Sequence, residues 1–399
     1  MPGVVGVIGA GTMGAGIAQL AIEAGHQVLL HDVDAEAIDR GRTRIRSGLE
    51  RRATRLELDP DSADEWVAGR LALLANATSV EAAADGSELV VEAVLEDLDA
   101  KRSIFRMLDR AAPDGTLLAT NTSALSVTEI ATATTLRGRV LGLHFFNPAP
   151  IMPLVEVVAA PATTEQTLGQ ATAIVTGWGK VPVRCADAPG FIVNRVNRPF
   201  TLEALAMLAS GEGTVEGIDA AMRSAGYPMG PFELMDLIGI DINLAAALGI
   251  YERIRRDGDP LAARFRPSPI QERLVADERL GRKSGAGFYA YGPDGRPAGV
   301  ARDVTDETLG VPPLAGDDIV ERIRLAIDNE AYRALGAGVA TAADIDLAMR
   351  LGAGHPSGPF EHVEALGGRG TLLDALRRHA DDGPRFEPAP ALLAAGRPR

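Results

Sequence analysis

One hexapeptide restricts this chain more than any other feature. Gly9-Ala10-Gly11-Thr12-Met13-Gly14 directly follows the short apolar run Val4–Ile8 and opens Met13–Ala24, whose apolar residues recur at helical spacing. A strand that turns through glycines into a helix begins an α/β unit. Gly9 permits the tight turn, Gly11 lets the backbone approach a pyrophosphate, and Gly14 lets helix and strand pack closely. The helix N-terminus, with Thr12 and Met13 in its first turn, offers free N–H groups and positive dipole charge to phosphates. Asp32, 23 residues after Gly9 at the end of the next strand, places a carboxylate where ribose hydroxyls would sit. An acid there disfavours the extra phosphate of NADP, so the turn reads as an NAD site rather than a ligand-free glycine loop.

The alternation continues along the chain. Val28–His31, Leu89–Val91, Thr116–Ala119 and Val140–Leu143 read as strands, with Ala35–Arg55 and Leu98–Ala111 as helices between them. Val155–Val158 and Val181–Cys185 add two strands around a helix at Glu165–Thr176. Strand–helix alternation implies parallel strands with crossover helices, so residues 1–187 are expected to form a Rossmann-type doubly wound α/β sheet. Past Asp187-Ala188-Pro189-Gly190 the pattern turns helical. There Glu203-Ala204 and Glu330-Ala331 stand 127 residues apart, as do Ile218-Asp219 and Ile345-Asp346, and Ala221-Met222 and Ala348-Met349. After one inserted residue, Gly230-Pro231-Phe232-Glu233 matches Gly358-Pro359-Phe360-Glu361. The all-α half is therefore expected as two repeats, 188–292 and 315–399. Gly292–Gly316, rich in Gly, Pro and Asp, reads as a linker, and the Pro/Ala/Gly-rich tail after Gly383 is expected to be disordered.

With 399 residues, two or three domains are affordable. Lys+Arg is 40 against Asp+Glu 54, a net charge of −14, which argues against a general nucleic-acid binder. Cys185 is the single cysteine, excluding an intramolecular disulfide and a Cys-based zinc site, and no metal site is expected. No apolar run approaches a membrane span, and Met1-Pro2-Gly3 leads into a strand with no basic segment. The expectation is a cytoplasmic enzyme with neither membrane nor nucleic-acid partner.

Further blocks follow the sheet: Asn121-Thr122-Ser123, Leu143-His144-Phe145-Phe146-Asn147-Pro148, Leu154-Val155-Glu156-Val157-Val158 and Pro189-Gly190-Phe191-Ile192-Val193-Asn194-Arg195. Together with the N-terminal fingerprint, these blocks resemble the L-3-hydroxyacyl-CoA dehydrogenase family, including its 3-hydroxybutyryl-CoA and 3-hydroxyadipyl-CoA members. The likeness runs from residue 1 to about 292, and the repeat resembles the second C-terminal unit of the longer members. It implies NAD-dependent, reversible oxidation of (S)-3-hydroxyacyl-CoA to 3-oxoacyl-CoA, on short chains, as in fatty-acid β-oxidation.

That chemistry needs a base for the hydroxyl proton while hydride leaves carbon, and a histidine suits it. His144 ends a strand, where a doubly wound sheet presents residues to its ligand crevice. Glu156, twelve residues on in an apolar run, is costly to bury alone. From spacing it could equally orient His144 or face water from an edge strand; the resemblance favours the pair. Ser123 and Asn194 match the family's remaining catalytic and substrate-contacting positions, although strand-end and helix capping would also explain them. Glu96, Lys101, Asn147 and Lys283 match positions near the nicotinamide-side ribose, Lys283 within Gly281-Arg282-Lys283-Ser284-Gly285-Ala286-Gly287-Phe288-Tyr289.

An acidic protein that binds acyl-CoA needs a local reversal of charge. Arg40–Arg55 provides one, with Arg51, Arg52 and Arg55 as candidate CoA contacts, and a solvated helix face as the equal alternative. The acidic stretch Glu57–Trp66 departs from the basic turn usual in the family. In the second repeat Glu321 stands where Asn194 stands in the first, so that copy reads as structural, with His355 and His362 as ordinary structural or surface residues. The protein is then either a homodimer or a monomer whose fused copy takes the partner's place. Two rival readings stand beside this one: a dehydrogenase of free hydroxy acids such as gulonate on the same scaffold, and a non-catalytic NAD(H)-binding protein.

Overall fold

The computed structural model describes residues 3–302, 304 and 313–394, in two compact units that meet in sequence between Ala188 and Pro189. In the first unit β1 (Val4–Ile8), α1 (Thr12–Glu23), β2 (Gln27–His31) and α2 (Ala35–Arg55) form where periodicity placed them. They are followed by α3 (Pro60–Leu71), β3 (Leu74–Asn76), α4 (Val80–Ala84), β4 (Leu89–Glu92), α5 (Leu98–Ala111), β5 (Leu117–Thr120), α6 (Val127–Ala131) and β6 (Val140–Phe145). The unit closes with β7 (Leu154–Ala159), α7 (Glu165–Gly177) and β8 (Val181–Ala186). The eight strands lie in the order β3-β2-β1-β4-β5-β6-β7-β8, doubly wound around β1 and β4. Central strands such as β4 and β5 are buried along their whole length, as parallel strands covered on both faces must be.

One strand departs from the parallel expectation. β7 runs antiparallel to β6, because the chain between them holds no crossover helix and simply turns back. The acidic stretch is also explained. Asp59 caps α3, its carboxylate accepting from Ser62 N and Oγ, and Asp61 sits in the first turn, so acids gather at the positive end of a helix dipole.

The second unit is mainly helical: α8 (Val193–Val196), α9 (Arg198–Ser210), α10 (Val215–Ser224), α11 (Pro231–Ile238), α12 (Ile240–Arg256) and α13 (Pro269–Ala276). A hairpin of β9 (Tyr289–Tyr291) and β10 (Pro297–Val300) follows, then α14 (Gly316–Gly336), α15 (Ala342–Ala353), α16 (Pro359–Ala365), α17 (Arg369–Arg378) and α18 (Pro390–Leu393). The expected linker is thus partly ordered as β10, while its residues 303 and 305–312 lie outside the described residues. The tail expected to be disordered is packed as far as Leu392. Phe386 and Ala389 are buried, and the Asn329 amide donates to the Arg385 and Glu387 carbonyls at 2.8 and 2.7 Å. Two apolar side chains and a buried amide outweigh the entropy that the composition alone would favour.

The Gly-Pro-Phe-Glu blocks have a shared physical cause. Asp219 accepts from Phe232 N and Glu233 N at 2.9 and 3.1 Å, and Asp346 accepts from Phe360 N and Glu361 N at 2.8 and 3.2 Å. Each aspartate caps the helix that its glycine and proline begin. A Cβ at Gly230 would fall 2.1 Å from Asp219, and one at Gly358 2.3 Å from Asp346, so only glycine fits either corner. Ion pairs cross in matched fashion too. Arg195 Nε meets Glu330 Oε1 at 2.8 Å, and Arg322 Nε meets Glu203 Oε2 at 3.0 Å, all four side chains buried. Arg195 and Arg322 are 127 residues apart, as are Glu203 and Glu330.

Candidate active site

The turn between β1 and α1 has the form its glycines require. Gly9 has φ +105°, which disfavours any side chain, and a Cβ there would fall 2.6 Å from the Ala93 carbonyl oxygen. A Cβ at Gly14 would lie 1.8 Å from the Gly9 oxygen, so helix and strand approach only because it is absent. Beside Gly11 the space is open, and no side chain caps the helix that Thr12 and Met13 begin. Asp32 Oδ2 accepts from Ala10 N at 2.8 Å, tying the carboxylate to this turn. An open backbone, a bare helix N-terminus and an adjacent acid fit a dinucleotide.

Next to the turn lies a buried pair that sequence reasoning half missed. Lys101 Nζ meets Glu92 Oε1 at 2.7 Å and Glu96 Oε2 at 3.4 Å, with Lys101 and Glu92 fully buried. Glu92 also accepts from Thr120 Oγ1 and Val94 N, so its charge is balanced and its oxygens satisfied. Glu92 lies within an otherwise apolar strand run, the same signal that singled out Glu156, and went unremarked. Glu96 Oε1 accepts from Thr122 Oγ1, Ser123 N and Ala124 N at 2.5, 2.9 and 3.1 Å. Burial opposes its ionisation, but Lys101 and these donors hold the carboxyl below its usual range. The glutamate thereby fixes the backbone of Ser123.

The antiparallel register places His144 directly opposite Glu156. His144 Nδ1 and Glu156 Oε2 are 2.5 Å apart, and Glu156 has no exposed surface. The edge-strand alternative therefore falls, since β7 is flanked by β6 and β8. Asn121 Oδ1 accepts from Phe145 N at 2.9 Å, locking the end of β6 beside the end of β5. The loop leaving β6 carries Asn147.

A cavity of about 320 Å³ lies between α1, α2 and Pro148–Ile151, and Arg44, Arg51, Arg52 and Arg55 line it. Gly16 and Gly48 also line it, where side chains would meet Pro150 and Gln19. Asn194 and Lys283 belong to the second unit. Asn194 is the second residue of α8, inside the helix rather than at its cap, and Lys283 pairs with Asp241 at 2.6 Å. Among the described residues no group of three or more His, Cys, Asp or Glu could hold a metal ion.

Residues 4–188 match the family model described as 3-hydroxyacyl-CoA dehydrogenase, NAD binding domain, and residues 190–291 and 319–394 match the C-terminal domain of the same description. The chain is 36% identical to the 3-hydroxyadipyl-CoA dehydrogenase of Escherichia coli K12, over 97% of this chain and 96% of that protein. It is 43% identical to the mitochondrial hydroxyacyl-coenzyme A dehydrogenase of Rattus norvegicus, over 72% of this chain and 90% of that one. The crystal structure of 3-hydroxybutyryl-CoA dehydrogenase from E. coli K12 superposes with a TM-score of 0.86 at 36% identity, covering 98% of each chain.

Proposed function

This chain belongs to the 3-hydroxyacyl-CoA dehydrogenase family, an NAD-dependent oxidoreductase family, and we propose that within it His144 is the catalytic base and Glu156 its orienting partner. The observation that carries this reading is the buried 2.5 Å contact between His144 Nδ1 and Glu156 Oε2. With Nδ1 on the carboxylate, Nε2 is the imidazole atom assigned to take the proton, and the carboxylate stabilises the imidazolium that results. The 3-hydroxyl proton passes to His144 Nε2 as its oxygen becomes a carbonyl, and the proton returns in the reverse reaction. Ser123, its backbone held by Glu96, donates a hydrogen bond to the same oxygen. When bound, NAD would supply the acceptor for the hydride from C3; Gly9, Gly11, Thr12, Met13 and Gly14 would hold its pyrophosphate, and Asp32 its adenosine ribose.

Glu96, Lys101, Asn147 and Lys283 as ribose contacts, and Asn194 as a substrate amide, rest on the motif match. Arg51, Arg52 and Arg55 are assigned to the phosphates of CoA. Their place on an arginine-rich cavity supports this, because planar guanidinium forks suit phosphate oxygens. The substrate is a short (S)-3-hydroxyacyl-CoA, simple or dicarboxylic, and the site of action is the cytoplasm. The second helical copy is structural in the sense that it covers the surface through which a single-copy subunit would pair. The crossed pairs Arg195–Glu330 and Arg322–Glu203 support that view, being the exchange a two-fold interface requires.

Steady-state turnover of 3-hydroxybutyryl-CoA, free 3-hydroxybutyrate and gulonate tests the substrate, with only the thioester expected to be oxidised. Exclusive turnover of a free acid would overturn the assignment. His144→Ala is expected to lower kcat by about 10²–10⁴-fold with NADH affinity unchanged. Full turnover in that variant removes His144 from the mechanism.

A further inference from the structure

The block Gly281-Arg282-Lys283-Ser284-Gly285-Ala286-Gly287-Phe288-Tyr289 is built against one buried acid, Asp236 of α11. Asp236 is 1% exposed. Its Oδ1 accepts from Phe288 N at 2.9 Å, and its Oδ2 from Tyr289 N at 2.9 Å and Tyr291 Oη at 3.0 Å. Two of the block's glycines make room for this contact. A Cβ at Gly281 would fall 2.4 Å from the Asp236 carbonyl oxygen, and one at Gly287 2.0 Å from Oδ1. Gly281 N donates to Ala286 O at 2.8 Å, which closes the loop on itself. Arg282, Lys283, Ser284 and Gly285 form its exposed tip, where Lys283 pairs with Asp241.

The repeat shows that a helical copy folds without a buried acid at this position. Asp219 and Asp346, 127 residues apart, cap matched helices, each through two backbone amides. Asp219 takes a third donor, Tyr289 Oη at 2.8 Å, so the loop is fastened at that acid too. The residue matching Asp236 in the second copy, 128 positions on, is Glu364, and it is exposed. A carboxylate is costly to bury unless its oxygens are satisfied. In the first copy the donors that satisfy Asp236 come from the segment that directly follows Lys283.

We propose that Asp236 is a positioning residue: it fixes the loop 281–289 on α11 and thereby the place of the Lys283 ammonium. The consequence for cofactor binding rests on the assignment of Lys283 to the nicotinamide-side ribose, whereas the clamp stands on the hydrogen bonds of Asp236 itself. Asparagine cannot take over the role. In either amide orientation its NH₂ would face the Phe288 or the Tyr289 N–H, two donors with no acceptor between them.

Hydrogen–deuterium exchange of the full chain and fluorescence titration with NADH test this together. Asp236→Asn is expected to speed exchange of the Phe288–Tyr291 segment about tenfold and to weaken NADH about tenfold, as loss of a hydrogen bond to a charged group implies. Lys283→Ala is expected to weaken NADH by about as much, and the double variant no further, because both changes remove the same contact. Glu364→Gln, the matched change in the second copy, is expected to move neither readout. Unchanged exchange in folded Asp236→Asn would overturn the proposal. So would losses that multiply to about a hundredfold in the double variant, since Asp236 would then act other than through Lys283. Should Asp236→Asn fail to fold, Tyr291→Phe carries the test: removing its one hydrogen bond is expected to speed the same exchange about threefold, and no change would overturn the clamp. NADH binding unchanged in Lys283→Ala would remove Lys283 from the ribose, while exchange still decides for or against the clamp.

Discussion

Glu156 sits where water cannot reach it, against the His144 imidazole. Its charge acts when His144 holds a proton, so replacing the charge while keeping the shape should be costly for rate and mild for binding. Glu156→Gln is expected to lower kcat by about 10²–10⁴-fold with KM within a small factor, checked by steady-state kinetics; a proportionate rise in KM with kcat intact would make Glu156 a binding residue. Spacing alone left this residue undecided between two faces. What decided it was the reversal of β7, a long-range fact that put Glu156 opposite His144. Glu92 carries the same local signal, an acid in an apolar run, but its counter-charge, Lys101, comes from the following helix and no motif ties the two together.

Between residues and domains, the β1–α1 junction is the element on which the first unit turns. Gly14→Ala would drive a Cβ into the Gly9 carbonyl, a backbone atom with no rotamer to escape to. The cost is about 1–3 kcal/mol, in line with other overpacked sites; thermal melting should show a Tm lower by several degrees, and titration a weaker grip on NAD. A melt identical to the parent would mean that strand and helix can separate freely. Elements of this kind were legible because their apolar period and flanking glycines agree. α3 and β3 were not: Asp59–Leu71 buries only Val67, so its pattern is too polar to show a period, and a three-residue strand is shorter than any pattern. The tail failed for the opposite reason. Its composition resembles linker, while Phe386, Ala389 and Leu392 anchor it in a core formed with distant helices.

At the scale of the whole molecule, polar groups buried between the matched helices set the response to pH. Burial, with the nearby positive Arg324, pushes the His355 imidazole down to about 3. An unfolded chain would protonate this ring near pH 6.5. Its contribution to stability is thus full above that pH and is progressively lost as pH falls below it. Urea midpoints measured between pH 7 and 5 should drop more steeply for the parent than for His355→Gln; equal slopes would show that the ring charges freely in the fold. The crossed arginine–glutamate pairs belong to the same scale, and the offset of 127 was readable in the sequence while their exchange across the halves was not.

That exchange has an evolutionary consequence. Two identical subunits must accept every mutation twice, once on each side of their axis, so neither side can be altered for a private purpose. Matched positions within one polypeptide are free of that constraint: Asp328 and His362 pair in one half, while Thr201 and Leu234 stand at the corresponding offsets in the other.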